Sequence, residues 1–396
     1  MTNLSTIIAD NNVLTESSTN TVTNKSIDAG QLTGSVAMAR LGSGTASSST
    51  FLRGDGTFAA AGLNHFTDSQ DTTDPPNGTI PVNAISASGT ATNIDLSAKP
   101  KGTGAITRDI ADNGTTGGEK RGEYAVDFQG HRTNANRVAA GNYSFLGGGS
   151  TNGAFAPYSV VSGGYGNYTQ ASADYSTVVG GRENDATGDY SISGGRGVSA
   201  TGRYSVGLGY NNTASGTYAA ALGYSGTADG SASTTVGYNA DAKLRYSILC
   251  VGTDQDPGLG NVHQTCFQTL AGQTVSTGSS NDTTQLMAHD TSSANYQYMN
   301  RIDSNQAYAF KILVVGRIGG GGTQAAWEIT GLVERTFTAA FEGTPIKTAI
   351  AASSGASAWD ANAVIVSSQA LGVEVTSGPG QTVYWTASIW TSETDN

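Results

Sequence analysis

A repeat with a period near 14 residues occupies the middle of this chain and leaves few folds open to it. Tyrosines recur at Tyr143, Tyr158, Tyr175, Tyr190, Tyr204 and Tyr218, and after a rung filled by Ala232 comes Tyr246. Five residues after each anchor stands a glycine: Gly148, Gly163, Gly180, Gly195, Gly209, Gly223 and Gly237. An alanine precedes each anchor by four residues, from Ala139 to Ala228, and a glycine or alanine by two. The period is too short for helical repeats or propeller blades. It suits one coil of a β-solenoid, with two short stretches of strand and two turns.

In Tyr204-Ser205-Val206-Gly207-Leu208-Gly209, strand alternation places Tyr204, Val206 and Leu208 on one face and Ser205 and Gly207 on the other. The residue after the anchor is always small: Ser144, Ser159, Ser176, Ser191, Ser205, Ala219 and Ser233. Such a face lets another backbone come close, and the recurrent glycine supplies a positive φ at a turn. One thin coil buries too little apolar surface to offset the entropy of ordering it. Coils must therefore stack, and the small face offers lateral packing between chains. The expectation is a homo-oligomer, most simply a homotrimer.

Composition agrees with thin β modules. Among 396 residues there are 54 glycines, and charged residues make up 13%, about half the usual ~25%. The net charge is −11 and no basic cluster exists, which argues against nucleic-acid partners. Met1–Asn12 holds no secretory apolar core, and the longest apolar run, Tyr218–Leu222, is far too short to insert in a membrane. Synthesis in the cytoplasm is expected. It favours free buried thiols at Cys250 and Cys266 over a disulfide. With only His263 nearby, the two cysteines make a poor zinc site, and no metal or cofactor is expected.

Four segments follow from the changes in pattern: an extended arm over 1–62, a β-rich neck over 63–121, the repeats over 122–247 and a C-terminal domain over 248–396. Short strands are expected at Thr21–Ile27, Gln31–Ala37, Ile94–Leu96 and Ile106–Ile110, with breakers at Asp74–Gly78. Asp55-Gly56 reads as a hairpin turn rather than as part of an adhesive Arg53-Gly54-Asp55 signal. Gly122 and Tyr124, Val126 and Phe128 form an irregular first coil. Beyond the repeats, Tyr308–Val315 reads as a fully buried strand. Trp327, Ile329 and Val333, and Val383, Trp385, Ala387 and Ile389, alternate with polar residues as half-buried strands. Val364–Val366 and Val373–Val375 add further strands, Gly319–Gly322 a hairpin tip and Ser377–Gly380 a turn. Many strands without helical periodicity imply an antiparallel β-sandwich.

The frame Ala-x-Gly-x-Tyr-Ser-Val-x-Leu-Gly at Ala200–Gly209, and more loosely at Ala214–Gly223, resembles the head repeat of trimeric autotransporter adhesins. That resemblance implies a trimeric left-handed parallel β-roll over about 120 residues. The remainder is similar to virion fibre proteins of tailed bacteriophages. The similarity rests on Leu41–Phe58, Pro100–Ala105, Gly117–Phe128 and the C-terminal series Ala307–Phe310, Val315–Arg317, Trp327–Gly331 and Val383–Ala387. It implies an arm that binds other virion proteins, a distal domain, and a host surface glycan or protein as partner.

Chemistry is sparse in the sequence. His65, His131, His263 and His289 are scattered, and His289-Asp290 is a dipeptide rather than a dyad. Cleavage of polysaccharide would need paired carboxylates, for which Asp174, Glu183, Asp185 and Asp189 are the candidates, all at turn positions where acidic residues also serve the backbone. The tyrosine column could track a polymer. Its parity with the apolar positions favours packing within the roll or against neighbouring chains. Trp327 and Trp385 read as core, whereas Trp359 and Trp390 are candidates for receptor contact. The expectation is a non-enzymatic virion tail fibre mediating host attachment. The alternatives are a capsid decoration or head fibre, and a polysaccharide-degrading tailspike.

Overall fold

The computed structural model describes residues 50–52, 58–60, 66–71, 82–87, 98–252, 263–276, 278–286, 300–302 and 304–395. The chain divides into two compact units, Met1–Ser97 and Ala98–Asn396. In the first, Thr50–Leu52 pairs antiparallel with Phe58–Ala60, and Phe66–Asp71 with Val82–Ala87. The former pair flanks the expected turn at Asp55-Gly56. That turn, the strands expected at 21–27, 31–37 and 94–96, and the breaker at 74–78 lie outside the described residues.

The second unit begins with the solenoid. Ile106–Thr107, Val126–Asp127, Phe145–Leu146, Val160–Val161, Thr177–Arg182, Ile192–Arg196, Val206–Tyr210, Ala220–Tyr224, Thr234–Tyr238 and Ile248–Gly252 form one parallel ladder in chain order. Two-residue strands form a second parallel sheet, from Gly153–Ala154 through Tyr168–Thr169, Asp185–Ala186, Ser199–Ala200 and Thr213–Ala214 to Thr227–Ala228. Each coil thus contributes a long strand, a corner, a short strand and a turn. The register of Val206 with Ala220, and of Ala220 with Thr234, reproduces the repeat read from the sequence.

Alternation is as expected, but the face that points inward is the small one. Ser205 and Gly207 are buried, Val206 is half-buried and Leu208 is exposed. The reason is thickness: a β-carbon on Gly207 would lie 2.7 Å from Cγ1 of Val198, the residue that leads into the opposing short strand Ser199–Ala200. The close approach permitted by the small face is therefore between the two sheets of one chain. It is not available for lateral packing between chains. The strand also begins later than the motif implies, at Val206, because Tyr204 occupies a corner with φ +59°. Gly209 has φ +124°, as expected of the recurrent glycine, and its position has no room for a β-carbon, which would lie 2.0 Å from Gly223 O.

Buried asparagines close the opposite corner. The Asn167 amide donates to Gly163 O at 2.8 Å within its coil and to Gly181 O at 2.9 Å in the next, and its Oδ1 accepts the Asn184 N–H at 3.0 Å. Asn152, Asn184 and Asn212 repeat the pattern. A buried amide is costly unless its bonds are made, so these residues weld successive coils together.

The long sheet continues into the C-terminal domain. Ile248–Gly252 pairs antiparallel with His263–Val275, which is followed across the sheet by Thr382–Asp395, Gln306–Ile318 and Gln324–Arg335. A second sheet of Asp282–Gln285, Asn300–Arg301, Asp360–Val366 and Ala370–Ser377 packs on it. Tyr308, Ile312, Trp327, Ile329, Val373, Val375, Trp385 and Ile389 fill the core between them, so the expected sandwich is present. Tyr308–Val315 is not buried on both faces: Tyr308, Phe310, Ile312 and Val314 point inward while Val315 is exposed, because the second sheet covers one side alone. Gly320, Gly321 and Gly322 take positive φ at the expected hairpin tip. Among the described residues the one helical element is a 3-10 turn at Ser354–Ala356, and no helix is long and apolar enough to cross a membrane.

Roll and sandwich are joined by covalent and ionic contacts. Cys250 and Cys266 face each other across adjacent antiparallel strands with Cα atoms 4.1 Å apart and form a disulfide, correcting the expectation of free thiols. Direct cross-strand pairing brings the two sulfurs within bonding distance. Beside it the fully buried Arg245 guanidinium donates to both Glu393 oxygens, at 2.5 and 3.0 Å, and Gln264 donates to the same carboxylate at 2.8 Å.

Candidate functional site on the corners of the roll

At the corner where each coil enters its long strand, Tyr124, Tyr143, Tyr158, Tyr175, Tyr190, Tyr204 and Tyr218 take φ of 55° to 60°. The left-handed region costs a residue with a side chain roughly 1–2 kcal/mol. The rings stack in return, with centroids 4.9 to 5.0 Å apart and planes within 15° of parallel. Aromatic pairs contribute about 0.5–1.5 kcal/mol each beyond burial, which offsets the corner strain. The ladder runs along the outside of the roll, not within it. Interior rings offer only edges and hydroxyls to a ligand, because both faces are covered by neighbouring rungs.

The ladder stops at Tyr218. Ala232 N donates to Thr217 O, and Ser247 N to Ser231 O, at 2.8 and 2.9 Å, the bonds that the tyrosines make at their own rungs. Ser247, with φ 50°, is therefore the rung after Ala232, and Tyr246 lies one position off the column. The extra residue in that coil breaks the arithmetic of the repeat.

The residue before each tyrosine lines the same corner. Tyr190 N donates to Asp174 O and Tyr204 N to Asp189 O, both at 2.9 Å, so Asp174 and Asp189 sit on consecutive rungs. Arg203 follows on the next, with Nε 3.9 Å from Asp189 Oδ2 and its guanidinium over the rings of Tyr190 and Tyr204. Neighbouring rungs lie about 4.8 Å apart at the backbone, a spacing that lets two carboxyls reach one glycosidic bond. The other two candidates do not join them. Glu183 is at the opposite corner, paired with Arg182 at 3.0 Å. Asp185 is on the short sheet, where burial lifts its carboxyl above the ordinary aspartate value against the opposing Tyr168 hydrogen bond and Arg137 charge.

A second column at that opposite corner was not singled out from the sequence. Register aligns Tyr165, Arg182, Arg196, Tyr210, Tyr224 and Tyr238. The Arg182 guanidinium lies 5.6 Å from the Tyr165 ring, and that of Arg196 5.4 Å from the Tyr210 ring. Tyr210, Tyr224 and Tyr238 stack at 4.8 and 4.5 Å. The recurring dipeptides Gly209-Tyr210, Gly223-Tyr224 and Gly237-Tyr238 carried the signal.

Of the tryptophans proposed for receptor contact, Trp359 is buried in the sandwich core against Trp385 and donates to Gln381. It is removed from the candidates. Trp390 is half-buried against Phe267, with ring centroids 5.3 Å apart. His131 shares a hydrogen bond with Ser150 at 2.7 Å and meets no carboxylate there. Among the described residues no three His, Cys, Asp or Glu side chains are grouped to hold a metal.

No known family profile matches the chain, and no curated protein matches it. Solved structures that align with it include phage tailspikes. They include that of Acinetobacter phage vB_ApiP_P1 (8% identity, TM-score 0.19, 64% of this chain and 55% of that one). The tailspike of Acinetobacter baumannii phage AM24 aligns at 9% identity and TM-score 0.21, over 73% of this chain and 52% of that one. Tailspike gp49 of Acinetobacter baumannii bacteriophage Fri1, a capsular polysaccharide depolymerase, aligns at 9% identity and TM-score 0.19, over 68% and 44%. The chain spans about half the length of these proteins. Against the expectation of a non-enzymatic chain stands the last of these findings, in which the aligned protein is a capsular polysaccharide depolymerase. At these scores the alignments assign no residue a role.

Proposed function

We propose that the chain is a tailed-phage spike protein, carried on the virion tail, whose roll engages and cleaves a polysaccharide of the host surface. The observation that carries this reading is the pair Asp174 and Asp189 on consecutive rungs, beside an aromatic ladder and Arg203. A glycan lying along the corner meets both carboxyls. Asp189, held by Arg203, attacks the anomeric carbon. Asp174 protonates the leaving glycosidic oxygen, and water then releases the glycosyl ester with Asp174 as base.

A trimer is part of the proposal. The outer face of the long sheet exposes Phe145, Val179, Ile192, Leu208, Leu249 and Val251, an apolar stripe that favours burial against sibling chains. Sedimentation of the 40.2 kDa chain as three copies supports this part, and a folded monomer removes it. The arm over 1–62 is assigned to attachment on the virion.

The test of the activity is the release of reducing ends from purified host-surface polysaccharide. Wild type releases them. Asp174→Asn and Asp189→Asn lower the rate by roughly 10²–10⁴-fold while still binding the polymer. A wild-type protein that binds without cleaving would remove the catalytic assignment.

A further inference from the structure

One missing ring ends the tyrosine ladder. Every rung from Tyr143 to Tyr204 has a ring stacked on each face. Tyr218 has Tyr204 at 5.0 Å on one side, and the next rung is Ala232. Ala232 keeps the corner backbone, with φ 54°, so the ladder continues there without its side chain. Ser247 follows with φ 50° and again no ring. Tyr218 is 63% exposed, against 43% to 49% for the doubly stacked Tyr143, Tyr158, Tyr175 and Tyr190.

We propose that the uncovered face of Tyr218, above the ringless rungs of Ala232 and Ser247, is a stacking subsite for a pyranose ring of an uncharged glycan. Two vacant rungs leave about 10 Å along the column, room for a sugar ring to lie parallel to the phenol. The π face carries negative potential, and the apolar C–H face of a pyranose presents the complementary sign. By register Thr217, Ser231 and Tyr246, all half-buried, precede the rungs of Tyr218, Ala232 and Ser247, and with the exposed Ser247 they supply hydroxyls for the rim of the sugar. Charge selects against an acidic chain. Among the residues that precede the rungs, Glu123, Asp174 and Asp189 are acidic and Arg203 is basic, and Asp229, whose Oδ1 accepts the Leu244 N–H, adds a carboxylate near the vacant rungs of a protein of net charge −11. The proposal rests on the polysaccharide reading and adds to it: Tyr218 is two rungs beyond Tyr190, so one glycan following the corner spans both the subsite and the carboxylates.

Ala232→Tyr tests this without removing anything. The backbone at that rung already suits tyrosine, so the variant folds with a ladder one ring longer and melts no lower than wild type. Affinity is measured for neutral bacterial surface polysaccharides, with alginate as the acidic comparison, in an Asp174→Asn background so that cleavage does not consume the probe. The expected result is binding of neutral chains over alginate, with a loss of about tenfold or more on adding Ala232→Tyr and a similar loss with Tyr218→Ala. Unchanged neutral-chain affinity in Ala232→Tyr, or preference for alginate, overturns the subsite while leaving the polysaccharide reading in place. Binding of none of the probes overturns both. Binding lost in Ala232→Tyr, with no cleavage by wild type, sustains the subsite and removes the catalytic assignment alone.

Discussion

The roll and the sandwich share one continuous sheet, yet they are held together by opposite means. The sandwich core is built from large side chains, among them Trp327, Trp359, Trp385, Tyr308 and Phe310. The core of the roll is made of Ala125, Ala139, Ala154, Ala186, Ala214, Ala221 and Ala228, with a few larger aliphatics such as Leu146. Its remaining interior is serine, glycine and asparagine. Burial of apolar area stabilises the first. In the second, an inter-coil ladder of backbone, amide and ring contacts does so, and the large apolar residues are left outside. The two regions should therefore answer mutation with opposite asymmetry: the sandwich fails when side chains are made smaller, the roll when they are made larger.

The largest effect expected is Trp385→Ala, which empties the centre of the sandwich and costs about 3–5 kcal/mol in chemical denaturation. Next is the joint between the regions. Glu393→Ala leaves the buried Arg245 without its counter-charge, at a cost of about 3–5 kcal/mol. The same pair sets an acid limit. Burial alone would raise the Glu393 carboxyl, but the Arg245 charge and hydrogen bond, with Lys243 and Gln264, hold it below the ordinary glutamate value. Because the folded value is the lower one, the contribution is complete at pH above the unfolded glutamate value of about 4.3 and is lost as pH falls through the folded value. Thermal melting should be flat near neutrality and drop in acid, and Glu393→Gln should flatten that drop.

In the roll, Gly202→Val is expected to cost about 3 kcal/mol, since even a β-carbon there would lie 2.1 Å from Gly216 O. Calorimetry giving a wild-type melting temperature would show that the coils are not packed at this spacing. Asn184→Ala orphans carbonyls in two coils and is expected to cost about 1–3 kcal/mol. Smallest is Tyr175→Ala, at about 1–2 kcal/mol from two lost ring contacts.

Much of the roll was legible in the sequence, because a repeat states its own geometry many times over. Tyrosine, the small residue after it and glycine fix the corner, the inner face and the turn. Which side of the strand faces inward was not legible. Alternation gives two faces, and only the spacing between sheets, set by Gly207 against Val198, decides that the small one is enclosed. Hydrophobicity pointed the other way for Val206 and Leu208. The vacancy at Ala232 was visible, but the slip from Tyr246 to Ser247 was not, since one added residue moves a side chain off the column without disturbing composition. The carboxylates were named as a group of four. Stacking of coils separates them, because residues one repeat apart become neighbours while Asp174 and Glu183, close in sequence, go to different corners. Cys250 and Cys266 are brought together by the antiparallel pairing of His263–Val275 with Ile248–Gly252, which no motif announces.

The stereochemistry of the first sugar released decides whether Asp174 and Asp189 act as acid and nucleophile. Rungs about 4.8 Å apart at the backbone are closer than the about 6.5–9.5 Å at which inverting enzymes hold a water between their carboxyls, so the proposed roles of Asp174 and Asp189 predict that proton NMR of early products shows retention of the anomeric configuration. Inversion, or retention that persists when Asp174 and Asp189 are both replaced by asparagine, would contradict those roles.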